Sequence, residues 1–220
     1  MKEIKRVVIC IMGKSACGKS TILRTIKEID NCGAVNLVKS FTTRGIRYND
    51  PYDEETHTYV TEDKFIEDRD NGKIMSLYNS PNGYHSWITD ESFVYDRMNF
   101  MAIDIKAFNK LVEEKQEEFI IKGFYLDIDE EERKRRYMKR NGSISGFSNE
   151  EHLALPVDYN KEVITKIDCN KEIEMQVIMR ELDKFFNEIL INIFKYKNGE
   201  LPYDTQEFIQ NRLQELEKRG

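Results

Sequence analysis

The apolar positions of this chain fall into short runs that alternate with amphipathic stretches. The first run, residues 4–12, is rich in β-branched side chains and ends at Gly13, a pattern typical of a strand buried on both faces. Ile22, Ile26 and Ile29 then recur at helical spacing, which predicts a helix over residues 20–29. The chain therefore begins as a strand, a tight loop and a helix.

The same alternation continues along the chain. Further strands are predicted at 34–38, 73–78, 84–88, 100–105, 119–126 and 163–167. Further helices are predicted at 62–69, 107–115, 130–140 and about 171–196. This order favours an α/β fold in which helices cover both faces of a parallel sheet. The turn at residues 80–83 indicates a small inserted β unit.

Two polar segments differ from ordinary connections. Residues 41–61 form a stretch that is too long and too charged for one, and such a loop usually carries function or is mobile. Residues 141–159, which contain Gly142, Gly146 and Pro156, are a second candidate flexible segment.

The end of the chain carries one more amphipathic pattern. After a break at Pro202, residues 205–218 place an apolar stripe on one helical face, made of Phe208, Ile209, Leu213 and Leu216. We expect residues 1–197 to form one domain and residues 198–220 a helical tail. A helix packed on its own domain fits this stripe best, and a partner or dimerisation helix also fits it, so a monomer and a homodimer both stay open.

Composition narrows the possible functions. The 220 residues carry a net charge of -6, with a pI near 5.3, which argues against a general nucleic-acid binder but allows a local basic pocket. The early apolar run is shorter than a signal peptide requires, and the sequence contains no membrane-spanning stretch. The cysteines form no C-x-x-C pair, so we expect reduced thiols in a cytoplasmic protein.

The loop after the first strand has the strongest functional signal. Residues 13–20, GKSACGKS, fit the pattern G-x-x-x-x-G-K-[ST] between a strand and a helix. The glycines let successive N–H groups face a polyphosphate, Lys19 brings positive charge to it, and Ser20 offers a hydroxyl to magnesium. A plain glycine-rich turn is the weaker alternative. The predicted ATP-binding residues are Gly13, Lys14, Ser15, Ala16, Cys17, Gly18, Lys19, Ser20 and Thr21.

Two arginine clusters offer further anion sites. Arg44 and Arg47 stand three residues apart among hydroxyl groups, and guanidinium groups bind phosphate oxygens bidentately. Surface ion pairs with nearby acidic residues explain this cluster equally well; these residues are Asp50, Asp53, Glu54 and Glu55. On the helix at 130–140, one face carries Arg133, Arg136 and Arg140. This face fits a lid over a phosphate site, and also a solvated face with ion pairs.

These motifs together resemble those of the guanylate kinases. The phosphate loop resembles the family's G-P-S-G-x-G-K-S-T, with Lys14 in place of proline, and residues 40–47 resemble its S-x-T-T-R-x-x-R signature. Similarity continues through residues 59–65, Tyr84, Ser86 and Asp104 to the R-x-x-x-R of residues 136–140, and it covers residues 4 to about 186. The resemblance implies an α/β P-loop kinase-type fold, with a nucleoside-monophosphate-binding insertion at about 40–97 and a helical lid at about 133–158.

The resemblance also implies roles for individual residues. The acceptor phosphate would be bound by Ser40, Arg44, Arg47, Tyr84 and Ser86. The catalytic residues would be Lys19, Arg44, Arg136 and Arg140. Asp104 would lie near magnesium with Ser20, although a helix cap is a real alternative for this residue. The implied cofactors are ATP and Mg2+, and the implied partner is a nucleoside monophosphate, with neither nucleic acid nor membrane.

The guanine-reading positions of the family depart from its pattern. Its glutamate falls on Met75 or Ser76, and its second aspartate is replaced by Lys106. His57 stands near the place of a phosphate-binding tyrosine, and His85 replaces a glycine. Losing hydrogen-bond acceptors removes discrimination between bases. The expected activity is transfer from ATP to GMP with base specificity open; a kinase for another phosphorylated small molecule, or a binding module on the same fold, are the alternatives.

Overall fold

The computed structural model describes residues 5–30, 33–46, 53–80, 83–170 and 180. Within these ranges the strands, numbered in chain order, are β1 (Arg6–Met12), β2 (Val35–Leu37), β3 (Ser40–Thr42), β4 (His57–Tyr59), β5 (Ile74–Asn79), β6 (His85–Thr89), β7 (Met98–Ala102), β8 (Phe119–Asp127) and β9 (Ile164–Asp168). The α-helices are α1 (Lys19–Ile29), α2 (Asp53–Thr56), α3 (Glu62–Asp70), α4 (Ile105–Lys115) and α5 (Glu130–Asn141).

The main sheet is parallel throughout, in the order β2-β7-β1-β8-β9. Because β1 lies in the middle, its side chains are buried on both faces of the sheet. Val7, Ile9 and Ile11 pack in one apolar cluster with the buried face of α1. Their neighbours in sequence, Val8 and Cys10, pack in a second cluster with α4. The predicted helix-covered parallel sheet is confirmed.

A second, smaller sheet follows β2 in the chain. Its strand order is β4-β3-β6-β5, and β3 runs antiparallel to β6. The rings of Phe41 and Trp87 stack across that pair, with centroids 5.6 Å apart, and Phe65 of α3 packs on Trp87. The indole N–H donates to Asp68 of α3 at 3.0 Å. Helix α3 therefore covers one face of this sheet.

The polar segment at 41–61 differs from its sequence pattern. It contains part of β3, all of α2 and all of β4. Strands of three residues with one apolar side chain each are too short to produce a readable apolar run, which is why the pattern shows only a polar stretch. The strand predicted at 100–105 also ends earlier, at Ala102, because Asp104 already caps α4.

The predicted helix at about 171–196 and the predicted tail at 198–220 lie outside the described residues, apart from residue 180. The single-domain boundary at residue 197 therefore stays a prediction. Among the helices that the structure describes, none combines the length and the apolar character that a bilayer crossing needs.

Candidate phosphate-binding site

The loop between β1 and α1 has the backbone of an anion-binding turn. Gly13 and Gly18 have φ angles of 137° and 112°, and Ala16 has a φ of 65°. A Cβ atom on Gly13 would lie 2.8 Å from the carbonyl oxygen of Leu126 and equally close to Cys17 Sγ. Only glycine fits there. The loop is thus pressed against β8, and its N–H groups lie at the start of α1.

Lys19 lies across the inside of this loop. Its Nζ atom donates to the carbonyl oxygens of Gly13 at 2.7 Å and Lys14 at 3.0 Å. Both contacts are within the loop, so the ammonium group is held where a polyphosphate would lie. Lys14 also lines a cavity of about 450 Å³, together with residues 154–157 and the carboxyl end of β8.

An acidic side chain contacts the loop. Glu150 accepts hydrogen bonds from the backbone N–H and the hydroxyl of Ser15, both at 2.6 Å. This residue is not among those predicted from the sequence. The contact joins residues that are 135 positions apart, and no local sequence pattern around Glu150 indicates it.

The arginines of α5 divide into three different environments. Arg133 is only 1% exposed and forms ion pairs with Glu130 and Glu150. Arg136 donates to the carbonyl oxygen of Cys169 at 2.6 Å and to that of Cys17, in the phosphate loop, at 3.4 Å. Arg140 is exposed and lies over the Tyr137 ring, 5.6 Å from its centroid. Of the two predicted lid arginines, Arg136 reaches the loop.

Ion pairs also run along the exposed side of α5. Lys134 pairs with Glu131, and Arg135 and Arg136 both pair with Glu132. Hydrogen bonds from these two arginines lower the pKa of Glu132 to about 2. The ion-pair interpretation is thus realised along the exposed side of this helix, while Arg133 and Arg136 also contact Glu150 and the loop; the lid stays a prediction.

On the small sheet, Arg44 is held by an acidic neighbour. Both of its terminal nitrogens bind the carboxylate of Asp53, which also accepts a hydrogen bond from the Tyr59 hydroxyl. Burial and the hydrogen bond to Asp53 raise the pKa of Tyr59 to about 12. The ion-pair alternative for Arg44 is thus realised in the structure, although the pair is buried instead of on the surface.

Of the other predicted acceptor residues, Ser40 lies on β3, Ser86 lies on β6, and Tyr84 comes directly before β6. Ser40 and His57 share a cavity of about 70 Å³ with Ser20 at the start of α1. The Ser86 hydroxyl donates to Thr42 Oγ1 at 2.9 Å, and the Tyr84 ring packs 6.3 Å from that of Tyr78. Arg47 lies outside the described residues. The structure therefore brings Ser20 and Ser40 to the same cavity.

The positions that differ from the family pattern have no carboxylate. Met75 is partly buried against the apolar cluster beneath α4, and Ser76 pairs with Ile88 across β5 and β6. Lys106 is exposed in the first turn of α4. None of these three side chains supplies an anionic hydrogen-bond acceptor to the cleft.

Asp104 caps α4. Its Oδ1 atom accepts a hydrogen bond from the Ala107 N–H at 2.9 Å. Among the described residues, no three His, Cys, Asp or Glu side chains are grouped to hold a metal ion. The predicted magnesium residues are Ser20, which is exposed at the cavity, and Asp104; their role as metal ligands stays a prediction.

Three solved structures are similar to this chain. A guanylate kinase from Anaplasma phagocytophilum matches with a TM-score of 0.54 at 17% identity, over 90% of this chain and 97% of that one. A sugar kinase from Janibacter sp. HTCC2649 matches with a TM-score of 0.40 at 18% identity, over 81% of this chain and 92% of that one. A gluconokinase from Sinorhizobium meliloti 1021 matches with a TM-score of 0.40 at 15% identity, over 89% of this chain and 100% of that one.

The sequence comparisons are negative. No protein-family model matches the chain, and no curated protein matches it. The structural likeness to guanylate kinase, which spans nearly the full length of both chains, confirms the predicted P-loop kinase-type fold. At this level of identity, the likeness concerns the fold alone.

Proposed function

We propose that this protein is a phosphotransferase that passes the γ-phosphoryl group of ATP to a nucleoside monophosphate. The observation that carries the proposal is the cavity shared by Ser20, at the end of the phosphate loop, with Ser40 and His57 of the small sheet. A donor site and an acceptor site that open onto one cleft are what direct transfer between two phosphorylated ligands requires.

The donor phosphates bind in the loop between β1 and α1. The N–H groups of residues 14–19 and of the start of α1 donate hydrogen bonds to the phosphate oxygens, and Lys19 supplies the positive charge. The left-handed backbone at Gly13, Ala16 and Gly18 supports this role, because it turns successive N–H groups toward the same side.

The acceptor phosphate binds at the small sheet. Ser40, Tyr84 and Ser86 provide hydroxyl groups, and Arg44 and Arg47 provide guanidinium groups. To bind the phosphate, the Nη atoms of Arg44 must either contact Asp53 and the phosphate at the same time or leave Asp53 for the phosphate. Asp53 thus sets how strongly this subsite attracts an anion.

Transfer itself needs alignment and charge neutralisation. An oxygen of the acceptor phosphate attacks the γ-phosphorus of ATP, the bond to the bridging oxygen breaks, and ADP leaves. Arg136, which already contacts the loop at Cys17, stabilises the charge that develops, and Arg140 joins it when the lid closes. Ser20 and Asp104 would hold magnesium, which would supply positive charge to neutralise the phosphate oxygens.

The acceptor base is read without a carboxylate. GMP is the acceptor that the family resemblance implies, but the guanine-reading positions carry Met75, Ser76 and Lys106. The same observation favours a second candidate function, a kinase that acts on another phosphorylated small molecule through the same phosphate contacts. We expect low discrimination among bases if nucleotides are the acceptors.

A coupled assay tests the proposal. ADP release is measured with ATP, magnesium and each of GMP, dGMP, AMP, CMP, UMP and dTMP, in the wild type and in Lys19→Ala. Lys27→Ala, on the last turn of the same helix, is the matched control. We expect acceptor-dependent ADP release that Lys19→Ala abolishes and Lys27→Ala retains.

Other outcomes separate the alternatives. No release with any nucleotide, together with ligand-induced thermal stabilisation by another phosphorylated compound, supports the second candidate. Binding of a nucleotide without turnover, unaffected by Lys19→Ala, points to a binding module and contradicts the proposal.

A further inference from the structure

Glu150 is the acidic side chain that touches the phosphate loop. Its two carboxylate oxygens accept one hydrogen bond each from the Ser15 N–H and the Ser15 hydroxyl, at 2.6 Å. Ser15 is the third residue of the loop. A carboxylate that accepts hydrogen bonds from an N–H group and a hydroxyl group of this loop binds it as phosphate oxygens would.

The contact belongs to a built arrangement. The Glu150 side chain is 16% exposed, and its Oε2 atom lies 3.3 Å from Arg133 Nη1. Arg133 also donates to the carbonyl oxygens of Ser148 and Asn149, and it stacks on the Phe147 ring at 4.2 Å. This one buried guanidinium thus fixes residues 147–150, and through them it presents the carboxylate of Glu150 to the loop.

The backbone of Glu150 lies in the left-handed region. Its φ angle is 50°, a conformation in which residues other than glycine, asparagine and aspartate are uncommon and which costs free energy. The hydrogen bonds to Ser15 and the pairing with Arg133 offset this cost. A side chain held at such a cost, at the point where a ligand binds, indicates a functional contact.

The carboxylate and the donor phosphates are mutually exclusive. One N–H group cannot serve both, and two anions at hydrogen-bond distance repel each other. ATP therefore has to displace Glu150 from Ser15. Displacement releases Glu150, which is one of the partners of Arg133 in the lid. Arg136, on the same helix as Arg133, contacts the same loop.

We propose that Glu150 is an autoinhibitory lid residue, which occupies part of the donor phosphate site without nucleotide and is expelled by the phosphates of ATP. The proposal rests on the proposed function in one respect, since it takes the loop to be the ATP site. It makes donor binding and lid rearrangement one coupled event. The price is a lower apparent affinity for ATP.

Titration calorimetry with ATP and magnesium tests it, in the wild type and in Glu150→Gln and Glu150→Ala. Glu151→Gln is the matched control, because it removes one negative charge from the neighbouring exposed residue, which binds Asn149 and not the loop. We expect Glu150→Ala to bind ATP about fivefold or more tighter than the wild type, with Glu150→Gln between them and Glu151→Gln within about twofold of the wild type. Inorganic triphosphate should give the same order.

Thermal melting supplies a second readout. Without nucleotide, Glu150→Ala should melt at a lower temperature than the wild type, because a native contact is lost, yet its stabilisation by ATP should be larger. A residue with only a structural role would lower both values. Glu150→Gln, which keeps the size of the side chain, serves if Glu150→Ala does not fold.

The failures are distinguishable. If all four proteins bind ATP equally, or if Glu150→Ala binds it more weakly, the autoinhibitory role is wrong and the proposed function stands. If none of the four binds ATP or triphosphate, the loop is not a donor site, and both proposals fall.

Discussion

Asp53 holds both terminal nitrogens of Arg44 in an ion pair whose side chains are only 3% and 7% exposed. Removing one partner of a buried pair leaves the other charge without compensation. We expect Asp53→Asn to lower the free energy of unfolding by about 3 kcal/mol, measured by urea denaturation. Glu54→Gln, one residue along α2 and exposed, should change it by less than about 0.5 kcal/mol. Equal midpoints for the two variants would show that the pair contributes little.

Gly13 is expected to tolerate no side chain. In Gly13→Ala the new Cβ would meet the Leu126 carbonyl oxygen at 2.8 Å, with φ at 137°. The loop must shift, so ATP binding should be lost and stability should fall by about 2 kcal/mol or more. Gly45→Ala, where a Cβ meets nothing within 4 Å, is the control for stability. Calorimetric ATP titration and urea unfolding check both expectations, and retained ATP binding in Gly13→Ala would contradict the role of the loop.

Asp104 has two possible functions that one pair of variants separates. Asn and Asp cap helices about equally well, whereas Ala costs about 1 kcal/mol. We therefore expect Asp104→Asn to keep the melting temperature but to lose about tenfold or more in kcat, because the carboxylate near magnesium is gone. Asp104→Ala should lose both. Full activity in Asp104→Asn would leave Asp104 with the helix cap alone.

Arg136 is expected to matter more than its neighbour. Lysine cannot reproduce the forked contacts of Arg136 with the carbonyl oxygens of Cys17 and Cys169, so Arg136→Lys should lower kcat by about 10- to 100-fold. Arg135→Lys is the matched control, since Arg135 pairs with the same Glu132 but is exposed. Steady-state kinetics at saturating ATP compares the two. Similar kcat values for both variants would exclude a catalytic role for Arg136.

Acid stability should depend on Asp90. Hydrogen bonds from Arg6, both at 2.8 Å, lower the pKa of Asp90. A carboxyl group with a lowered folded-state pKa stabilises the fold above its unfolded pKa, near 3.9, and this contribution is lost as the pH falls through the folded value. Asp90→Asn should therefore be destabilised at pH 7, and the difference from the wild type should shrink below about pH 4.

Urea unfolding at several pH values measures this difference. Glu91→Gln is the control, because Glu91 is exposed and lies 3.9 Å from Lys73, a distance at which an ion pair contributes little. A difference between Asp90→Asn and the wild type that is constant from pH 7 to pH 3 would show that the pairing with Arg6 does not act through charge.

The parts of this structure that depend on local sequence could be predicted. The buried run of β1, the glycine spacing of the loop and the apolar face of α1 are each contained in a few consecutive residues, and they identified the fold and the phosphate loop. A helix-cap role for Asp104 could also be predicted as an alternative, because the residue stands just before a predicted helix.

The contacts between segments that are far apart in the sequence could not be predicted. Asp53 could be named among the acidic neighbours of Arg44, but its burial depends on how α2 packs against the small sheet. Arg133 lies in a run of charged residues, where nothing indicates that it is the buried one. The contact of Glu150 with Ser15 requires the fold of every strand between them.

The central position of β1 has a consequence for biosynthesis. Val8 pairs with Asn99 of β7, and Arg6 pairs with Phe119 of β8. Because these two strands leave the ribosome much later than β1, β1 cannot pair until they do. Until then an apolar segment with two open edges is exposed, which invites aggregation and gives chaperones a target. Nascent chains stalled before residue 127 should accordingly be protease-sensitive across residues 6–12, and refolding should be slow, as expected when native contacts are far apart in sequence.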